Sequence, residues 1–165
     1  MRVYLPTTTA GLRALLDDGA IGPAPLTAFA VTPGLREWYV DDDPEELEYA
    51  AMTEAARGAL RLLDADESVP RRRVVVAADV ADAVVTVQDD LDRGVVRVGE
   101  PIELAAIASV HVDDADAEPP VAAAARAVIA ADLGDTGSQD HVDDAEGYEL
   151  SWYANQEIAD LLDSL

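Results

Sequence analysis

Both histidines of the chain sit in the same pentapeptide: His111-Val112-Asp113-Asp114-Ala115 recurs as His141-Val142-Asp143-Asp144-Ala145. An imidazole two residues from a carboxylate suits a divalent cation, or a general base steered by an aspartate. His111 and Asp113 are the candidate metal ligands. His111 falls on a predicted strand, on the face opposite Val110 and Val112, whereas His141 falls in a predicted loop. The spacing fits no established metal motif, and in a chain so rich in Asp and Ala the repeat also has a plain chance explanation.

A second set lies where strands run into helices, at Leu5-Pro6-Thr7-Thr8-Thr9 and Val31-Thr32-Pro33-Gly34. If the strands are parallel, both junctions open on the sheet edge where α/β folds place ligands. Free backbone N–H groups and the hydroxyls of Thr8, Thr9 and Thr32 would there hold a phosphate or carboxylate. The same threonines serve equally as helix N-caps. Two aromatic pairs, Trp38-Tyr39 and Trp152-Tyr153, would line a pocket with Arg36 as its polar group if they packed together. Their other roles are to anchor a terminal helix or to form an exposed protein-binding hot spot. The acidic stretch Asp135 to Glu146 has the length of a calcium loop, but Asp140 replaces the turn glycine and Gly137 occupies a ligand position. No Gly-x-Ser-x-Gly, His-Glu-x-x-His or Gly-x-Gly-x-x-Gly pattern is present. Acidic pairs such as Asp17-Asp18 and Asp89-Asp90 read as solvated surface.

The elements that must position these residues follow from periodicity. Arg2 to Leu5 is a predicted strand, followed by a helix through Leu12, Leu15 and Leu16 that ends at Gly19. Leu26 to Thr32 is a second strand, and the β-α-β order implies a parallel pair. The longest helix starts at Asp43-Pro44 with Glu45 and Glu46 in its first turn, after the run Asp41-Asp42-Asp43. Its expected buried stripe is Tyr49, Met52, Ala56, Leu60 and Leu63. Val74 to Ala78, behind Arg71-Arg72-Arg73, reads as a central strand. Val84 to Val87 reads as a short strand or a loop, strands follow at Val95 to Val98 and Ser109 to Asp113, then an Ala-rich helix from Pro119-Pro120 to Ala131. Residues 132–147 read as a flexible loop, and a last helix is expected from Tyr148 to the end. The expected fold is a single α/β domain over residues 1–165, with a mainly parallel or mixed sheet of about five strands and helices on both faces. The alternative is a two-layer α+β sandwich.

Composition bounds the function. The 165 residues suffice for one domain with its own core. There is no cysteine, which excludes disulfides, thiolate metal sites and cysteine nucleophiles and suits a reducing compartment. The formal net charge is −23, and all 11 basic residues are arginine. Such a chain repels nucleic acid and anionic membrane, so neither is an expected partner. The first residues carry no signal-peptide apolar region, and no stretch reaches the length of a membrane span, so a cytoplasmic protein is expected.

The opening Met-Arg-Val-Tyr-Leu-Pro, the segment from Leu26 to Pro33 with Leu35-Arg36-Glu37-Trp38-Tyr39, and Glu45-Glu46-Leu47-Glu48-Tyr49-Ala50 resemble an uncharacterised actinobacterial family. Val110-His111-Val112-Asp113-Asp114 and Trp152-Tyr153-Ala154 extend the resemblance over most of the chain. It implies no activity, cofactor or site residue. The leading expectation is therefore a non-catalytic cytoplasmic domain that acts through a protein partner, in a regulatory or interaction role. The alternatives are a small-ligand binding protein or enzyme using Thr8, Thr9, Thr32, Arg36 and Trp38, and a divalent-metal site at His111 and Asp113. Cofactor and oligomeric state are not specified by the sequence.

Overall fold

The computed structural model describes residues 1–40 and 42–165, so Asp41 of the predicted acidic run lies outside the described residues. In chain order the elements are β1 (Arg2–Thr7), α1 (Thr9–Asp18), β2 (Ala20–Ile21), β3 (Leu26–Phe29), α2 (Pro33–Trp38) and α3 (Pro44–Ala65). Then come β4 (Val74–Asp79), β5 (Val85–Val87), β6 (Val95–Val98), β7 (Ile102–Glu103) and β8 (Ile107–Val112). The chain finishes with α4 (Glu118–Asp132), α5 (Thr136–Glu146), β9 (Ser151–Ala154) and α6 (Ile158–Asp163). Among the described residues no helix is long and apolar enough to cross a membrane.

The expected parallel sheet of about five strands is not what forms. Seven strands in the order β5-β6-β3-β1-β4-β8-β9 make one sheet, and every neighbouring pair in it is antiparallel. The parallel expectation rested on β1-α1-β3 being a simple crossover. Between α1 and β3, however, lie β2, which pairs with β7 in a separate two-stranded sheet, and the turn Gly22 to Pro25. They add one more chain reversal, so β3 returns antiparallel to β1.

Side-chain alternation splits the sheet into two faces. Val3, Leu5, Val74, Val76, Val110 and Val112 point to one face, under Leu12 and Leu15 of α1 and Ile158, Leu161 and Leu162 of α6. Tyr4, Phe29, Val75 and Ala77 point to the other, under Ala50, Ala51, Ala55 and Ala56 of α3. Helices on both faces leave no room for a two-layer sandwich. The rest of α3 turns to other partners: Leu60 and Leu63 pack with Val121, Ala125 and Val128 of α4 and Val142 of α5. Small residues let α3 lie close on the sheet. At Gly58 a Cβ would stand 3.1 Å from Pro6 Cγ and 3.3 Å from a Phe29 ring carbon, so even alanine there would require Pro6 or Phe29 to give by a few tenths of an ångström.

Two further expectations are corrected. The segment 132–147 holds helix α5, capped by Asp135, whose carboxylate accepts from Ser138 N at 2.8 Å. Only Val142 and Ala145 of α5 are buried, too few to give a periodic signal. The last helix does not begin at Tyr148, because Ser151–Ala154 joins the sheet beside β8 and only Ile158–Asp163 is α-helical.

Candidate functional site

Antiparallel pairing of β4 with β8 sets Val74 opposite Val112 and Val75 opposite His111. One step further, Arg73 at the start of β4 meets Asp113 just past the end of β8. The guanidinium grips the carboxylate twice, Nε to Oδ2 and Nη2 to Oδ1, both at 2.8 Å. The Arg73 backbone N–H donates to Oδ2 at 2.8 Å, and Asp113 N donates to the Arg73 carbonyl at 3.2 Å. Nη2 also donates to the Tyr148 carbonyl at 2.8 Å, which ties down the chain leaving α5. Arg73 is 2% exposed and Asp113 1%. A buried pair of this kind is tolerable only with close pairing and added hydrogen bonds such as these.

Beside this pair lies a cavity of about 310 Å³. One wall is α3, with Tyr49, Met52, Thr53 and Ala56; Arg73 and His111 come from the sheet, and Glu146, Tyr148, Glu149 and Leu150 from the end of α5 and the chain beyond it. The Nη1 atom of Arg73 makes no hydrogen bond to the described residues. Among those residues no fully enclosed side-chain nitrogen or oxygen lacks a partner, so Nη1 is not enclosed by protein, and the open space beside Arg73 is the cavity. His111 Nε2 lies 3.0 Å from Ser109 Oγ. Burial, with a smaller contribution from Arg2, lowers the His111 pKa to about 4, so its ring is neutral at pH 7. At the rim, partial burial and the neighbouring Asp143 raise the pKa of Glu146.

Of the residues singled out in the sequence, only His111 lines this cavity, with Asp113 behind it. Both Asp113 oxygens are held by Arg73, and among the described residues no group of three or more His, Cys, Asp or Glu is placed to hold a metal ion. Thr8 caps α1, its hydroxyl accepting from Gly11 N at 3.2 Å, and Thr9 is buried. Thr32 caps α2, accepting from Leu35 N at 3.2 Å and donating to Asp89 Oδ1 at 2.6 Å. Asp89 also accepts from the N–H groups of Gly34 at 2.9 Å and Gly94 at 3.0 Å. The start of α2 thus already holds an anion, the chain's own carboxylate. Only glycine fits at position 34, where a Cβ would lie 2.6 Å from Asp89 Cγ.

Arg36 is exposed and lies outside the cavity. Trp38 is 61% exposed, with the Arg93 guanidinium 3.5 Å from its ring centroid. Trp152 is on β9, at the opposite edge of the sheet from β5 and β6, and the two tryptophans do not meet. Arg73, Tyr49, Met52 and Glu146 were not visible as site residues in the sequence. The available signal was an arginine opening one strand and an aspartate closing another. Those meet only if the strands are antiparallel.

No curated protein and no solved structure shows significant similarity to the chain. Residues 1–162 match the model of a family of unknown function, DUF6912. With nearly its whole length covered, the chain belongs to that family.

Proposed function

We propose that this chain is a non-catalytic binding domain whose cavity takes up a mainly apolar group carrying one neutral hydrogen-bond acceptor. The observation that supports this most is Arg73, a 2% exposed guanidinium with one nitrogen left for the cavity. A volume of about 310 Å³ is in the range of small-ligand sites, and an apolar wall with a few fixed polar groups is their usual chemistry. Neutral acceptors suit the site better than anions. Asp113 already balances the Arg73 charge, Glu146 and Glu149 flank the opening, and the whole chain carries −23.

Ser109 and His111 have the separation of a nucleophile and its base. Ser109 is 6% exposed and is not part of the cavity wall, however, and Asp113, the carboxylate nearest in sequence to orient the imidazole, is committed to Arg73. The pair reads as a hydrogen bond between two same-face strand residues.

The test is thermal unfolding at matched ionic strength with phenylacetamide and hexanamide beside phenylacetate and hexanoate. A probe at ~100 times its dissociation constant stabilises by about 2.7 kcal/mol. The amides are expected to raise the Tm more than the carboxylates, and Met52→Trp, which fills the cavity, is expected to abolish the shift. A shift that survives Met52→Trp, or none with any probe, overturns the cavity reading. Turnover of p-nitrophenyl acetate that is lost in Ser109→Ala overturns the non-catalytic one.

A further inference from the structure

The cavity does not end at Tyr49. Tyr49 and Thr53 are also part of the wall of a second, more open groove that runs along the first turns of α3. Four carboxylates border that groove, on Asp43, Glu45, Glu46 and Glu54, and among the described residues no basic side chain does. Asp43 caps its own helix, donating nothing and accepting from Glu45 N at 3.1 Å, and Glu45 and Glu46 favour the helix dipole. Those roles account for Asp43, Glu45 and Glu46 but not for Glu54, which lies further along the helix. They do not account for the two tyrosines among them, Tyr39 at 40% and Tyr49 at 60% exposure. Aromatic faces beside carboxylates are what an ammonium or guanidinium group binds.

Resting on the cavity reading above, we infer that the occupant is a cationic protein segment, which seats an apolar side chain in the cavity and lays a lysine or arginine along the acidic groove. Two independent observations meet here. The buried Arg73 offers its free N–H to a neutral acceptor, as a peptide carbonyl is. The adjoining groove offers four carboxylates and two tyrosine rings beside the small side chains of Ala50 and Thr53. A peptide with a basic residue near an apolar anchor satisfies both at once, and a neutral or acidic one satisfies only the first. Charge complementarity to a surface of net −23 also speeds encounter with a basic partner.

A random dodecapeptide display library panned on the full chain tests this. Enriched peptides are expected to pair a Leu, Met or Phe anchor with Lys or Arg. A synthesised winner should bind about tenfold more weakly to Met52→Trp and to the double variant Glu46→Gln/Glu54→Gln, and progressively more weakly as salt is added. Thr53→Arg, on the wall the two spaces share, should also abolish binding, and it serves if Met52→Trp fails to fold. Enrichment of uncharged apolar peptides, lost in Met52→Trp but indifferent to the glutamate changes, overturns the cationic partner and leaves the cavity reading standing. Basic peptides indifferent to both Met52→Trp and Thr53→Arg overturn the shared site. No enrichment at all overturns the inference, and the amide probes then decide the cavity reading on their own.

Discussion

His111 to Ala115 and His141 to Ala145 are identical in sequence, yet one copy ends a strand and the other forms most of the second half of a helix. In both, the valine is buried, Val112 against the sheet core and Val142 among α3, α4 and α5. The aspartates after them part company. Asp113 is sealed against Arg73, whereas Asp143 is exposed and accepts from the Gln139 side-chain amide one helical turn away, at 2.8 Å. His111 forms part of the cavity wall and His141 stands in solvent. Nothing inside the pentapeptide makes this difference. The first copy finds a strand partner that begins with arginine, and the second finds a helix that needs only one apolar face.

Removing the sealed charge should separate the copies most. Asp113→Ala leaves the buried Arg73 guanidinium without its counter-ion and is expected to cost about 3–5 kcal/mol by urea unfolding. A cost below ~1 kcal/mol would mean that the pair is not sealed in solution. Next come the valines, where the copies should nearly agree. Val112→Ala and Val142→Ala each remove a fully buried side chain and should cost roughly 2 kcal/mol. The helical site should be the cheaper by about 0.5 kcal/mol, because alanine is the better helix former. Reversal of that order would break the assignment of strand and helix.

A pH series sharpens the histidine comparison. The folded pKa of His111 is lowered from 6.5 to about 4, chiefly by burial, so the unfolded chain takes up the proton first. Its contribution is present above pH ~6.5 and is lost as pH falls toward about 4. The stability difference between the wild type and His111→Asn should shrink over that window, and a difference flat with pH would place the ring in solvent. The smallest effect belongs to Asp143→Ala, expected within about 0.5 kcal/mol of zero. Measured beside Asp113→Ala, it is the control for the first prediction.

Local signals carried some elements and failed at others for definite reasons. The start of α3 was legible from Asp43-Pro44 and its acidic first turn, and Asp43 does cap it. Of its expected stripe, Ala56, Leu60 and Leu63 are buried and Met52 packs against the core, whereas Tyr49 does not. Earlier in the helix the sheet is covered by Ala50, Ala51 and Ala55, and Tyr49 points outward. Reading the stripe from the large residues therefore put Tyr49 in the core and missed it as part of the site. Helix α5 has one valine and one alanine to bury, so composition spoke for a loop. Leu150, Ala154, Ile158 and Leu161 keep helical spacing across a strand and a helix that are separate elements. The direction of pairing was least legible of all, since a two-residue strand, β2, decides it. With that direction went the meeting of Arg73 and Asp113.

The double duty of Arg73 bears on how such a chain can diverge. One side of its guanidinium closes the ends of β4 and β8, and the other faces the cavity. A lineage that lost this arginine would leave Asp113 buried without its counter-ion and give up several kcal/mol of stability before it could try a new ligand. Tyr49, Met52 and Thr53, which line the same space from α3, hold no buried charge and carry no comparable burden. Descendant copies are thus expected to inherit one fixed hydrogen-bond donor and to change their taste by reshaping the wall opposite it.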